Sequence, residues 1–523
     1  MKSACAKFPE SRDELIEKII SGAQEIERLN EEIRLLRQVL FAPKSEKKRP
    51  FGESPQLNLF DIQEELPADG DEDEDQAEEI IVPAHTRRKK GRKPLPDNLP
   101  RIEVMHDIPA EDKICACGCE LTRSGEDVSE KLEIIPAQIR VIRHIRPKYV
   151  CKSCEGVEDD GPTVKIAPSP AQIIPKGIAT ASLLAYILVA KFCDALPFYR
   201  QEKQFTRIGI DIPRQSMSNW AMKAAKACQD LFELLQEDVR GGPLINVDET
   251  PVQVLNEPGR SATQKSYMWM FRGGMPGKPI VIYKYYPTRS GDVPKLFLND
   301  YQGVVQSDGY KGYDFLDNRI GILHVACWAH ARRKFMDAKK GSGNKKPGSA
   351  DKALAMIRPL YALEKKARAD GLSPDEIYNM RQQHAKPIVA KFKRWLHKKN
   401  GVVPPKSLLG KAVAYCLNQW HRLENYIKDG NAGIDNNPAE NAIRPFVLGR
   451  KNWLFSGTPD GAHASALLFS LIETAKANKL EPYSYLRYLF EKLPTTNKNN
   501  LRALLPTKLT PDNLILPDLV TGV

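Results

Sequence analysis

The chain has 523 residues, room for three or four domains at roughly 150 residues each. Its 41% apolar and 28% charged residues describe a soluble globular protein and exclude a wholly disordered one. Lys and Arg number 78 against 66 Asp and Glu, and the net charge of +12 favours polyanionic partners, nucleic acid first. Ten cysteines are too few for a disulfide scaffold of this length. The opening MKSACAKFPESRDE holds no apolar core of a signal peptide. The longest apolar stretch, Ile178 to Ala190, is too short to span a bilayer. A cytoplasmic, nucleoid-associated protein without a membrane partner is the expectation.

Residues 1–45 are expected to form a coiled coil. Ile19, Ile26, Ile33 and Leu40 recur every seven residues at position a, with Leu15, Leu29 and Leu36 at d. Ile at a with Leu at d favours a parallel two-stranded coil, hence a homodimer or higher oligomer. The alternative is an amphipathic helix on its own core. Residues 46–100 read as a disordered linker, rich in Pro, with eight acids among the eleven residues from Asp69 to Glu79. Within it Arg87, Arg88, Lys89, Lys90, Arg92 and Lys93 surround Gly91. This resembles an AT-hook that lies in the minor groove, and a nonspecific phosphate-binding patch fits equally.

Residues 101–165 read as a zinc-binding module. Cys151-Lys-Ser-Cys154 is a C-x-x-C knuckle, and Cys115, Cys117 and Cys119 form the other half. Four thiolates hold a structural Zn²⁺ tetrahedrally and fold a module with little core of its own. Gly118 suits the turn after a ligand, which selects Cys115, Cys117, Cys151 and Cys154, although Cys119 could replace either of the first two. The run from Ile139 to Val150 mixes apolar and basic residues and reads as a strand with a cationic face. Residues 170–240 read as helical. Ile178 to Phe192 should be buried, Leu196 to Phe205 a short helix, Ile208 to Pro213 a turn, and Arg214 to Lys223 another helix. That order is helix-turn-helix-like, with Arg214, Gln215 and Ser218 in reach of base edges.

Five strand candidates follow: Pro243 to Asp248, ending in that acid; Tyr267 to Arg272; Ile280 to Tyr285; Gly303 to Ser307, leading into Asp308; and Ile322 to Ala326, before a helix from about Ala329. Three strands, a fourth bearing an acid, then strand and helix match a ribonuclease-H-like order, in which the first and fourth strands are neighbours. Asp248 and Asp308 would then meet across sixty residues of chain. GIDNNPAE supplies a third carboxylate: Asn437 can cap a helix, Pro438 suits its first turn and Glu440 lies within that turn. Three carboxylates suit two Mg²⁺ (or Mn²⁺) ions roughly 4 Å apart, which activate water and then a 3′-hydroxyl for in-line attack on phosphorus. Arg444, Arg450 and Lys451 follow closely and could pair with phosphates.

The segments INVDETPV, VVQSDGYKGYDFL, VACWAHARRKF and AGIDNNPAENAIRPFVLGRKNWLFSGT resemble the insertion sequence 66 family of bacterial transposases. So do GEDVSEKLEIIP, RHIRPKYVCKSC and SLIETAKANKLEPYSYLRYL. The resemblance maps the family's acidic triad onto Asp248, Asp308 and Glu440. It implies an enzyme that binds the terminal inverted repeats of its element, cleaves there and joins the ends to target DNA, with accessory proteins of the same element as possible partners. The rivals are a ribonuclease-H-like nuclease without strand transfer and an inactive DNA-binding regulator. The chain departs from the family's first knuckle, because Ile114 stands where its first Cys would fall.

The resemblance also accounts for the 132-residue separation of Asp308 and Glu440. It implies a catalytic core in two parts, 241–340 and 431–495, interrupted by a helical insertion over 341–430 and followed by a tail, 496–523. The insertion serves DNA or partner contact, or is a solvated packing shell. Cys327-Trp-Ala-His330 belongs to the family pattern; with only two ligands it is a weak metal site, and His330, Arg332 and Arg333 are assigned a structural or DNA-positioning role.

Overall fold

The computed structural model describes residues 139–150, 164–342 and 347–515, with positions 18, 21–23, 25, 26, 28, 29 and 33 of the N-terminal region. The chain divides into two compact units, residues 1–45 with 169–523, and residues 46–168. The described N-terminal positions are helical, and Ile26, Leu29 and Ile33 are exposed. Leu15, Ile19, Leu36 and Leu40, the linker with its basic segment from Arg87 to Lys93, and Cys115, Cys117, Cys119, Cys151 and Cys154 lie outside the described residues.

In the unit of residues 46–168, β1 (Lys148–Val150) pairs antiparallel with β2 (Val164–Ile166). The strand expected over 139–150 is thus confined to its last three residues. Its partner β2 is only three residues long, Ile139, Val141 and Ile145 are exposed, and among the described residues the ladder goes no further.

The other unit opens with four helices: α1 (Ala181–Phe192), α2 (Phe198–Arg207), α3 (Arg214–Ala227) and α4 (Gln229–Arg240). The Thr180 hydroxyl accepts from the Leu183 N–H at 3.2 Å and starts α1. Ile178 falls before that cap and is exposed, unlike the burial expected of it. Gly209, with φ 80°, supplies the left-handed turn between α2 and α3.

The sheet holds β3 (Leu244–Gln253), β4 (Lys265–Gly273), β5 (Ile280–Tyr286), β6 (Gly303–Ser307) and β7 (Ile322–Ala326), in the spatial order β5-β4-β3-β6-β7. β3 pairs antiparallel with β4 and parallel with β6, so the first and fourth strands are neighbours. β3 does not end at Asp248, as the sequence suggests, but runs five residues further. Its pairing with β4 continues to Gln253, whereas its pairing with β6 stops at Asn246. Pro251 is tolerated there because one side of the strand has no ladder partner to lose.

The remaining helices are α5 (Asp292–Phe297), α6 (Trp328–Ser342), α7 (Ser349–Ala369), α8 (Pro374–Met380), α9 (Lys386–Asn400), α10 (Leu408–Asn418), α11 (Trp420–Glu424), α12 (Asn437–Trp453), α13 (Pro459–Ala477) and α14 (Pro482–Lys492). α13 is buried over most of its length and lies along the edge strand β5. Its Ser470 and Thr474 hydroxyls accept the N–H groups of Tyr283 and Val281 at 2.7 and 3.0 Å. That satisfies donors the edge would otherwise leave open. One core joins α1–α4, the sheet and α12–α14; a second joins α6, α7, α9 and α10 to β7. The 3-10 turns between Lys498 and Leu514 seat Leu501, Leu504, Leu505 and Leu514 in the first core. Among the described residues no helix is long and apolar enough to cross a membrane.

Candidate active site

The register of β3 on β6 places Asn246 opposite Gln306. Strand side chains alternate between faces. Ile245, Val247 and Val305 enter the first core, while Val304 enters the second with Leu244 against it. The same period sets Asp248 two residues beyond Asn246 on one face, and Asp308 two residues beyond Gln306. Each acid has a local backbone donor: Glu249 N–H to Asp248 Oδ1 at 2.8 Å, and Tyr310 N–H to Asp308 Oδ1 at 2.9 Å.

Glu440 arrives from far along the chain in the first turn of α12. The N-cap is Asn436, not Asn437 as the sequence suggests. The Asn436 carbonyl accepts from Ala439 and Glu440 N–H at 2.9 and 3.1 Å, while its side chain reaches inward to the sheet instead of capping. Asn437 is exposed and bonds to Asp435. Trp328 N–H donates to Ile434 O at 3.0 Å, which ties this segment to the start of α6.

Asp248, Asp308 and Glu440 line one open cleft of about 380 Å³ together with His330, Arg333, Asn436, Ile443, Arg444 and Val447. Burial first, then the neighbouring charges of Glu249, Asp308 and Glu440, push the Asp248 carboxyl up to about 7. Glu440 Oε1 is buried without a hydrogen-bond partner, and Arg333 reaches Oε2 at 3.5 Å. Crowded hard oxygens with an unsatisfied buried acceptor fit divalent cations of the Mg²⁺ type, which relieve that repulsion.

Of the predicted cations, Arg333 and Arg444 line this cleft. Arg450 instead donates to Thr250 Oγ1 at 3.1 Å. Lys451 is exposed. Arg332 lies 6.0 Å from the Tyr361 ring. Arg214 and Gln215 are exposed at the start of α3, with Ser218 half-buried beside them. Cys327, His330 and Glu440 have candidate ligand atoms within 4.8 Å of one another, so the Cys-x-x-His pair gains a third neighbour. The buried Cys327 sulfur already accepts the Asn436 N–H at 3.1 Å, and burial pushes its thiol up to about 12.

Sequence reasoning missed Glu249. Its side chain is almost fully buried, held by Arg289 Nε at 2.7 Å and by the Tyr313 hydroxyl. Arg289 stacks on the Tyr310 ring at 3.8 Å, just beyond Asp308. The signal was adjacency alone: DE in INVDETPV and DGYKGY after β6. It also missed the buried amides Asn246, Gln306 and Asn436, although each precedes an acid by two or four residues.

Fold and site together define a mixed α/β protein with a three-carboxylate, arginine-lined cleft suited to cations and phosphates. Family comparisons match residues 176–464 to the Transposase IS66 family, 112–155 to the zinc-finger binding domain of transposase IS66, 28–104 to Transposase C of IS166 homeodomain, and 470–507 to the IS66 C-terminal element. Similar proteins from Sinorhizobium fredii (strain NBRC 101917 / NGR234) include "Uncharacterized protein y4jD", 35% identical over 79% of this chain and 81% of its own length. "Uncharacterized protein y4hP" from the same strain is 31% identical over 91% of this chain and 87% of its own. The chain belongs to the IS66 family of transposases.

Proposed function

We propose that this chain is the transposase of a bacterial insertion sequence, cleaving DNA at the element's terminal inverted repeats and joining the ends to target DNA, with Asp248, Asp308 and Glu440 as its catalytic acids. The observation that carries this reading is the meeting of these acids in one arginine-lined cleft, in a chain of this family. The strand order, with the first strand between the second and fourth, supports a ribonuclease-H-like reading of the core. Helices α7–α11 are then a helical insertion that separates Glu440 from the aspartates.

The three carboxylates would hold two Mg²⁺ or Mn²⁺ ions, which supply Lewis-acid activation of water and then of a DNA 3′-hydroxyl. The chain's own residues bind and orient the DNA. Arg333 and Arg444 face the cleft and pair with non-bridging phosphate oxygens, to which a guanidinium offers paired donors. Glu249 is kept out of the donor set by Arg289 and Tyr313, so the cations meet a fixed number of acids. The residues of the cysteine module supply a structural zinc site, for which thiolates in a C-x-x-C knuckle are suited. Arg214, Gln215 and Ser218 on α3, and the basic segment from Arg87 to Lys93, are assigned to DNA contact. The N-terminal heptads are assigned to self-association.

Metal-dependent nicking of a DNA carrying the element ends tests this reading. The Asp308→Ala variant is expected to lose at least about a thousandfold in rate while still binding the DNA. Unchanged cleavage by that variant would sink the assignment. Cleavage without joined products from a pre-cleaved end would point to a nuclease instead.

A further inference from the structure

Behind the acids lies a set of three buried amides, of which Asn436 also lines the cleft. Asn246 Nδ2 donates to Gln306 Oε1 at 3.1 Å and to Asn436 Oδ1 at 2.9 Å. Asn436 Nδ2 donates to Val247 O at 3.0 Å, and Gln306 Nε2 to Gly433 O at 2.8 Å. All three side chains are at most 2% exposed. A buried polar group costs free energy unless it is bonded, so a network of this kind is specified by its geometry and resists substitution by apolar residues.

Each amide sits a fixed step before one acid: Asn246 before Asp248 on β3, Gln306 before Asp308 at the end of β6, and Asn436 before Glu440 at the start of α12. Asn246 and Gln306 are register partners, so their bond reports the alignment of the two strands. Asn436 N-caps the helix that carries Glu440, and its side chain bonds to Asn246 and Val247 of β3. Gln306 holds the Gly433 carbonyl three residues before that cap. No hydrogen bond joins the acids to one another among the described residues. The amides bond together the three segments that carry the acids, alongside the β3–β6 ladder and the Trp328–Ile434 backbone bond.

We propose that Asn246, Gln306 and Asn436 are positioning residues that set Glu440 against Asp248 and Asp308 and so determine the spacing of the cation-holding oxygens. This rests on the reading of those acids as catalytic. Partners behind metal-holding residues typically carry roughly 10–100-fold in metal affinity or activity.

The test uses the purified full-length protein, with Mn²⁺ alone as the probe, followed by paramagnetic resonance, and with cleavage of the element-end DNA measured in parallel. Asn246→Ala is expected to keep its helical spectrum and DNA affinity, and to lose roughly 10–100-fold in Mn²⁺ affinity and in the maximal cleavage rate. Asn246→Ala with Asn436→Ala is expected to lose less than the product of the two single losses, because each single variant already breaks the Asn246–Asn436 bond; independent effects would multiply. Where Asn246→Ala fails to fold, Gln306→Met decides: it keeps the side-chain length and adds no charge, loses the bonds to Asn246 and Gly433 while Asn246 keeps its bond to Asn436, and a smaller loss of the same kind is expected. A folded variant with wild-type Mn²⁺ affinity and rate, beside an Asp308→Ala variant that has lost both, overturns this proposal and leaves the acids standing. If the wild-type protein neither binds Mn²⁺ nor cleaves, the reading of the acids fails and this proposal with it.

Discussion

Arg381 is the most deeply buried cation described in the helical region between the aspartates and Glu440, at 1% exposure. Its guanidinium meets Glu364 through two bonds of 2.8 and 2.7 Å. Its remaining donors reach the carbonyls of Tyr426, Asp429 and Ala432 at 2.7–2.8 Å. Every donor is matched, which is the condition under which a charge tolerates burial. The three carbonyls belong to the segment that leads to Gly433 and Asn436, so Arg381 fixes the approach to Glu440. Arg381→Met leaves Glu364 buried and unpaired. It is expected to cost about 3–5 kcal/mol in urea unfolding, whereas Arg381→Met with Glu364→Gln recovers part of that loss. A single variant within about 0.5 kcal/mol of wild type would contradict the role given to the pair. At this scale the sequence was half legible. The acids stood out because two follow strand-like apolar runs and the third opens a helix, while Arg381 and the amides look like ordinary polar residues. Only folding reveals that they point inward.

At the scale of elements, β6, β7, α11 and the 3-10 helix Lys311–Asn318 are joined by one polar cluster. His324 Nδ1 meets Asp317 at 2.7 Å and Nε2 meets Ser307 at 2.8 Å; Arg422 Nε donates to Asp317 at 2.8 Å, and Arg422 Nη2 to Asp314 at 2.6 Å. Burial holds the His324 imidazole below its ordinary value, with Asp317 opposing it. Burial pushes the Asp317 carboxyl up, but hydrogen bonds from His324, Arg422 and His421 outweigh it and hold it well below the usual range. The unfolded chain therefore takes up the His324 proton first as pH falls through about 6.5, and stability drops there. The Asp317 contribution stays until about pH 4 and is lost below. Asp248, with its raised value, acts with the opposite sign, so the comparison with a variant isolates His324. The stability advantage of wild type over His324→Gln is expected to shrink between about pH 7.5 and about pH 5.5; a constant difference would contradict the buried neutral imidazole. Strand identities were legible here from β-branched runs and turn residues, but the length of β3 was not. Its second half pairs with β4 after β6 has ended, meets Ser456 only at Gln253, and includes Pro251, which reads locally as a strand stop.

At the scale of the molecule, the sheet order followed from counting strands, and β3 does lie beside β6. The separation of Glu440 did not follow from any pattern. A second core, built on Trp328, Phe335, Phe392 and Trp420, stands between it and the aspartates in the chain, and no local period announces where such a core returns to the sheet. The GIDNNPAE segment marked the return because it carries a cap, a Pro and an acid in the order a helix start requires. Glu440, brought back by this detour, is proposed to work with Asp248 and Asp308 on DNA. The direct measurement is Mg²⁺-dependent cleavage and strand transfer on a DNA carrying the element ends, comparing wild type with Glu440→Gln. Wild type is expected to give cleaved and joined products, and a folded, DNA-binding Glu440→Gln to lose both by at least about a hundredfold. Equal product from the two proteins would contradict it.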